Sequence, residues 1–376
     1  MKKLYIIAGE ASGDLHAANL MKAMLDQEAN VDFRYWGGDN MAAVTGKPVK
    51  HISELAFMGF IEVLANLKTI LTNIKFCKKD ILSYKPDALV LVDYPGFNLR
   101  IAKWAKAQGI PVIYYISPQI WAWKQNRVHT IKKVVDQMLV ILPFEKDFYA
   151  KFGMDVTFVG HPLLDAVEQF IAKTDKVDLY AKHGLDKRPV IALLPGSRKQ
   201  EINTKLPIML DSLSQFDDYQ FVIAGAPALP SSFYEPFLEH SKNVHLIHGE
   251  TYDLLSIATA ALVTSGTATL ETALFEVPEV VCYKGSSISY HIAKRLIKVD
   301  YISLVNLILQ KEAVKELIQH ECNAELIEKE LQLILPGQPK HDQLKKDYAD
   351  LLKILGEGGA SKKAAEEVLK QLRIDN

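Results

Sequence analysis

Short apolar runs alternate with helix-length amphipathic segments from one end of the chain to the other, and no other feature restricts the fold as tightly. Runs this short, without internal polar–apolar alternation, suit strands buried on both faces. The segments between them suit the crossover helices of a parallel sheet. Strands are expected at 4–8, 31–36, 88–92, 112–116 and 137–141, and again at 190–194, 220–224, 244–247, 261–263 and 280–283. A chain of 376 residues is long enough for roughly two domains with real cores. The sequence therefore reads as α/β, with two doubly wound Rossmann-like domains, 1–165 and 185–340. A charged segment joins them between Gly160-His161-Pro162 and Arg188-Pro189. The remaining 341–376 carries two amphipathic helices broken at Gly356-Glu357-Gly358-Gly359 and has no strand to feed.

Open α/β sheets bind ligands beyond the carboxyl ends of their strands, and two such edges facing each other make a cleft. In the second half, Thr264-Ser265-Gly266-Thr267-Ala268-Thr269-Leu270-Glu271 follows an apolar run and opens a helix. Small residues such as Ser265, Gly266 and Thr267 let a phosphate approach the backbone, and a helix N-terminus offers unpaired N–H groups and partial positive charge. Glu271, one turn in, suits a ribose diol. Upstream, the run 190–194 ends in Pro195-Gly196-Ser197-Arg198. A guanidinium bonds two phosphate oxygens at once and keeps its proton, so Arg198 beside Gly196 and Ser197 suits a leaving group that gains negative charge. A surface ion pair with Glu201 is the alternative.

The loops of the first half are different. Gly9-Glu10-Ala11-Ser12-Gly13-Asp14 lacks the dinucleotide-binding spacing and the P-loop lysine, and its two carboxylates would repel a pyrophosphate. Glu10, Ser12 and Asp14 suit sugar hydroxyls, with a helix expected near Leu15; Asp14 as an N-cap accounts for the same residues. The run 88–92 leads directly into Asp93-Tyr94-Pro95-Gly96-Phe97-Asn98, where Asp93 is placed either as a general base or as the tie of a Pro-Gly turn. Ser117-Pro118-Gln119-Ile120-Trp121-Ala122-Trp123-Lys124 offers Trp121 for stacking on a sugar, or simply for the core. Within 53–79, Phe60, Leu64, Leu67, Leu71 and Ile74 form one helical stripe, the expected core face. Phe57, Met58, Ile61 and Ile70 widen or leave it, and with nearby lysines they suit either contact with an anionic lipid surface or burial on two sides.

Composition narrows the partners. A net charge of −1 speaks against a broad nucleic-acid face, and three scattered cysteines suggest neither a disulfide framework nor a zinc site. The opening Met1-Lys2-Lys3-Leu4-Tyr5-Ile6-Ile7-Ala8 reads as a first strand rather than a secretory signal, because Glu10 and Asp14 follow so soon. No apolar run approaches the length of a membrane span.

Together, Gly9 to Asp14, Met58-Gly59-Phe60-Ile61-Glu62-Val63-Leu64, Asp93 to Asn98, Ser117 to Trp123, Phe158-Val159-Gly160-His161-Pro162, Leu194 to Arg198 and Ser265 to Glu271 resemble the lipid-A-disaccharide synthases. These are GT-B glycosyltransferases of the lipopolysaccharide pathway, and the likeness covers nearly the whole chain. It implies transfer from UDP-2,3-diacylglucosamine to the 6-hydroxyl of 2,3-diacylglucosamine 1-phosphate, with inversion, giving a β-1,6 disaccharide 1-phosphate and UDP. It implies Asp93 as base, Arg198 as diphosphate clamp, and Glu10, Ser12 and Asp14 as sugar-facing groups. It also implies a cytoplasmic enzyme peripherally attached to the inner membrane, C-terminal helices 341–376 that return to an N-terminal domain, and a homodimer as one possible assembly. No cofactor is implied, and the chain has no Asp-x-Asp triplet to bridge a diphosphate through a metal. Asn306 and Gln319 are cleft residues by the same resemblance, although Val305 stands where the family pattern commonly has proline. Rival readings are a transferase acting on an undecaprenyl-linked sugar, a UDP-N-acetylglucosamine 2-epimerase, a Rossmann dehydrogenase and a non-catalytic nucleotide sensor. The dehydrogenase fails for want of a G-x-G-x-x-G after any strand.

Overall fold

The computed structural model of the protein describes residues 1–27, 30–55, 67–173, 179–239, 243–286, 290 and 298–374. They form two compact units, Met1–Asp165 with Gly358–Asn376, and Ala166–Glu357.

The first unit is built on β1 (Lys2–Ala8), β2 (Val31–Gly37), β3 (Lys50–His51), β4 (Ala88–Val92), β5 (Val112–Tyr115), β6 (Gln137–Val140) and β7 (Thr157–Phe158). All pairings are parallel, in the order β3-β2-β1-β4-β5-β6-β7. The second unit contains β8 (Val190–Leu194), β9 (Gln220–Gly225), β10 (Val244–His248), β11 (Ala258–Thr264), β12 (Glu279–Tyr283) and β13 (Lys315–Ile318). These are again parallel, in the order β10-β9-β8-β11-β12-β13. Both sheets thus start near their centre and reverse direction once, between β1 and β4 and between β8 and β11, which is the doubly wound order of a Rossmann fold.

Central strands follow the apolar runs because both faces are covered. Every residue of β4 and the whole of Val190–Leu193 in β8 are essentially without exposure. The strands absent from the sequence reading are β3, β7 and β13. The first two have two residues each, and β13, Lys-Glu-Leu-Ile, is charged at its start. All three lie at sheet edges, where short or charged strands discourage further pairing.

The tail divides instead of returning whole to the first unit. Helix Pro339–Leu355 packs on helices Leu304–Leu309 and Ala324–Ile334 of the second unit, burying Leu344, Tyr348, Leu351 and Leu355 at i, i+4, i+7 and i+11. Past the glycine break, helix Ala360–Ile374 packs on helix Ala11–Gln27 and contributes Ala364, Ala365, Val368, Leu369 and Leu372 to the core of the first unit. Its N-terminus is capped from far upstream. Asp165 accepts from the backbone N–H of Gly359 at 2.5 Å, Ala360 at 3.3 Å and Ser361 at 3.3 Å.

The expected stripe of the 53–79 segment is described only in part, since Phe57, Met58, Phe60, Ile61 and Leu64 lie outside the described residues. In helix Leu67–Tyr84 the buried line is Ile74, Cys77 and Ile81, while Leu71 is 48% exposed and Ile70 is partly buried. Arg34 on β2 holds this helix from the sheet side, donating to both Asp80 carboxylate oxygens at 2.8 and 2.6 Å.

Removing the Asp165 carboxylate leaves the first turn of helix Ala360–Ile374 without its cap. Asp165→Ala is expected to lower stability by about 1 kcal/mol, and its melting temperature by a few degrees, as read by calorimetry or circular dichroism. An unchanged melting temperature would remove the cap from this role.

Candidate active site

In the second unit the sheet reverses between β8 and β11, and both loops at that point line a cavity of about 350 Å³. Gly196, Ser197 and Arg198 follow β8; Ser265, Gly266 and Thr267 follow β11; Ala224 to Pro227 close another side after β9. Gly266 is the N-cap of helix Thr267–Leu274 at φ 154°, ψ −161°, a conformation essentially restricted to glycine. The amide end of this helix therefore opens on the cavity without a side chain above it. Ser265 is held by donating its hydroxyl to Ile302 O at 3.0 Å. Arg198 is 69% exposed at its side chain and approaches Glu201 no closer than 3.8 Å, so the local ion pair is loose. Glu271 accepts from the Tyr252 hydroxyl at 2.9 Å, and burial raises its carboxyl above the ordinary value against the pull of that bond. Concave shape, helix dipole, backbone donors and a guanidinium together suit a phosphate-bearing ligand.

In the first unit the reversal lies between β1 and β4. Asp93 directly follows β4, and its backbone is left-handed at φ 43°, as is that of Tyr94 at φ 47°. For L-residues this costs roughly 1–2 kcal/mol each, so the surroundings must hold the turn. They hold it at every backbone polar group of Asp93. Its N–H donates to Tyr115 O at 3.1 Å, and its C=O accepts from Asn98 Nδ2 at 2.8 Å and from the Tyr114 hydroxyl at 2.6 Å. The Tyr94 ring stacks on Phe97 and lies over Gly9, where any side chain would run into it. Burial, reinforced by the Glu10 carboxylate, pushes the Asp93 carboxyl up to about 6. That value suits a group that must take a proton near neutral pH.

The family described as lipid-A-disaccharide synthetase matches the chain over residues 4–371. The chain is 41% identical to the lipid-A-disaccharide synthase of Syntrophus aciditrophicus, over 99% of this chain and 98% of that one. It is 40% identical to that of Geobacter metallireducens, over 99% and 97%. The chain belongs to the lipid-A-disaccharide synthase family. Members of this family are glycosyltransferases that make the lipid A disaccharide, and this chain is one of those enzymes. Its fold, of the GT-B class, is shared with UDP-GlcNAc 2-epimerase from Neisseria meningitidis, at a TM-score of 0.69 and 17% identity over 98% of this chain and 100% of that one.

Most of the expected residues lie at the carboxyl edges of the two sheets, but several take structural parts. Asp14 is 1% exposed, and helix Ala11–Gln27 begins at Ala11 rather than near Leu15. Its carboxylate accepts from Gly38 N at 2.6 Å, Asn40 N at 3.0 Å, Met41 N at 3.2 Å and Asn40 Nδ2 at 2.9 Å, so it braces the loop after β2 and has no capacity left for a sugar. Glu10 and Ser12 remain exposed. Trp121 is buried edge-on to Phe144, with centroids 5.0 Å apart, and belongs to the core. Asn306 is wholly buried. Its amide donates to Val314 O and Glu316 and accepts from Ala313 N and Val314 N, all at 2.8–2.9 Å, which fixes the approach to β13. Gln319 follows β13 in a left-handed turn, and its buried Nε2 has no hydrogen-bond partner among the described residues, so it retains a donor to offer.

The sequence reading missed Tyr114, Asn98 as a brace, and Tyr252. Neither Tyr114 nor Tyr252 figures in that reading, and only the fold brings their hydroxyls to Asp93 and Glu271. It also missed Glu145, which is buried after β6, accepts from Leu142 N at 3.0 Å and is pushed up to about 7 by burial.

Because Asp14 braces the fold, Asp14→Ala is expected to cost about 1.5–3 kcal/mol of stability, seen in denaturant unfolding, and to leave UDP affinity within about twofold. Wild-type stability with a large rise in acceptor KM would instead return Asp14 to the sugar.

Proposed function

We propose that the protein transfers the sugar of UDP-2,3-diacylglucosamine to the 6-hydroxyl of 2,3-diacylglucosamine 1-phosphate in one inverting displacement, releasing UDP. The observation that carries this reading is Asp93: a carboxylate with a raised pKa, in a strained and fully braced turn, at the switch point of the first sheet. Asp93 takes the proton of the acceptor hydroxyl as its oxygen bonds to the anomeric carbon. The bond from that carbon to the diphosphate oxygen breaks on the opposite face, and the electron pair leaves with UDP. Arg198 meets the charge that develops on the diphosphate, with the amides and hydroxyls of Ser265, Gly266 and Thr267 and the loop of Gly196 and Ser197. Glu271 takes the ribose diol, Glu10 and Ser12 face the acceptor sugar, and Gln319 donates to a sugar hydroxyl. A single displacement needs one base and a stabilised leaving group; no second carboxylate has to form a covalent bond.

A membrane-derived substrate pair calls for contact with lipid. Among the described residues no helix is long and apolar enough to cross a membrane. Helix Leu67–Tyr84 exposes Leu71, Phe76 and Leu82 among Lys68, Lys75 and Lys79, a pattern that supports peripheral contact with an anionic surface.

The test of the whole reading is the transfer assay with both lipid sugars in detergent, with EDTA present, following UDP and disaccharide by mass spectrometry. Formation of the β-1,6 disaccharide is expected, and its absence from a folded, UDP-binding protein would overturn the substrate assignment. Asp93→Asn is expected to lower turnover at least about 100-fold with UDP affinity nearly unchanged. In the wild type, kcat/KM is expected to fall about tenfold per pH unit below a pH near 6, because the base is active only when ionised and burial raises its folded pKa. A flat profile from pH 5 to 8 would argue against Asp93 as the group that titrates. Arg198→Ala is expected to weaken UDP binding and turnover together; unchanged UDP affinity in calorimetry would count against the clamp.

A further inference from the structure

We propose that Tyr114 is a positioning residue of the transfer reaction: its buried hydroxyl, with Asn98, locks the left-handed Asp93–Tyr94 turn and so aims the Asp93 carboxylate. The inference rests on Asp93 being the base.

Several features single out this contact. Tyr114 lies on β5, next to β4 in the sheet, opposite Leu91 in the pairing register. It is wholly buried among apolar strands, where a phenol needs a partner, and among the described residues its hydroxyl finds one in Asp93 O at 2.6 Å. That carbonyl belongs to the peptide joining two consecutive left-handed residues, neither of them glycine. Such a peptide relaxes by flipping toward the ordinary right-handed or extended region, and a flip carries the carbonyl away from its donors. Asn98 approaches the same oxygen at 2.8 Å, and its amide also lies within 3.2 Å of Val92 O and 3.4 Å of Ile7 O, tying the turn to the ends of β4 and β1. With the Asp93 N–H spent on Tyr115 O, the backbone of Asp93 is held on both sides, and the Tyr94 backbone bonds its carboxylate. A base displaced by about an ångström loses most of its advantage, so the donors that fix this peptide control turnover without touching substrate.

The test is a double-mutant cycle in the transfer assay, using wild type, Tyr114→Phe, Asp93→Asn and the double variant. Asn98→Ser is carried in parallel as a second way to remove a donor. Tyr114→Phe keeps the ring and loses only the hydroxyl. It is expected to lower kcat by about 10- to 100-fold, with donor KM and UDP affinity within about twofold. In the Asp93→Asn background the same change is expected to cost almost nothing further, because a group acting through the base has no effect once the base is gone. Asn98→Ser is expected to show the same dependence on Asp93, and decides the matter should Tyr114→Phe fail to fold by circular dichroism. Wild-type kcat in Tyr114→Phe, or a loss that multiplies fully with that of Asp93→Asn, overturns the positioning role while leaving the base in place. Full turnover in Asp93→Asn overturns both.

Discussion

Everything in this molecule depends on the single reversal of strand order in each parallel sheet. Parallel strands need crossovers, crossovers are right-handed, and a sheet that grows from its middle in both directions therefore sends its helices to opposite faces. At the reversal the two loops part and leave a crevice at the carboxyl edge. In this chain the residues proposed for the chemistry lie at both crevices, after β1 and β4 in one unit and after β8 and β11 in the other. Asp93 stands one residue past Val92, and Gly196 two residues past Leu194, so strand packing fixes where the reactive groups begin.

The two crevices have opposite electrostatics. In the first unit, Asp93 and Glu10 are two carboxylates near one another, and burial with like charge raises the Asp93 pKa. In the second, Arg198, a helix N-terminus and a glycine-opened backbone offer donors to an anion, beside Glu201 and a Glu271 bonded to Tyr252. A site for a proton acceptor and a site for an anion require these opposite environments. The family assignment shows glycosyl transfer, and the two environments suit the two halves of such a reaction.

How much of this was legible in the sequence follows from whether a feature is local. Central strands such as 88–92 and 190–194 are continuous apolar runs, and they appear where hydropathy alone puts them. Asp93 and the Ser265–Thr267 loop are legible because a strand end and a helix start are local signals. Edge strands β3 and β7, two residues each, carry no pattern to read. Asp14 and Asn306 mislead for a different reason. Polar residues in loops look like ligands for a substrate, but here their partners are chiefly backbone groups, with Asn40 and Glu316, of neighbouring segments that only the fold supplies. Leu71 was expected in the core and is exposed, since the buried face of its helix turns through Ile74, Cys77 and Ile81.

The first unit is discontinuous in the chain, and this sets an order of events during synthesis. Its sheet is complete by residue 158, yet helix Ala360–Ile374, which covers Met21, Met24 and their neighbours, follows the whole second unit of Ala166–Glu357. At roughly 5–20 residues per second those 192 residues take about 10–40 s to be made. For that interval the nascent first unit lacks its covering helix, and Asp165 has no helix N-terminus to cap. Closure of the first core is therefore the last step of synthesis, waiting on a helix made after the whole second unit.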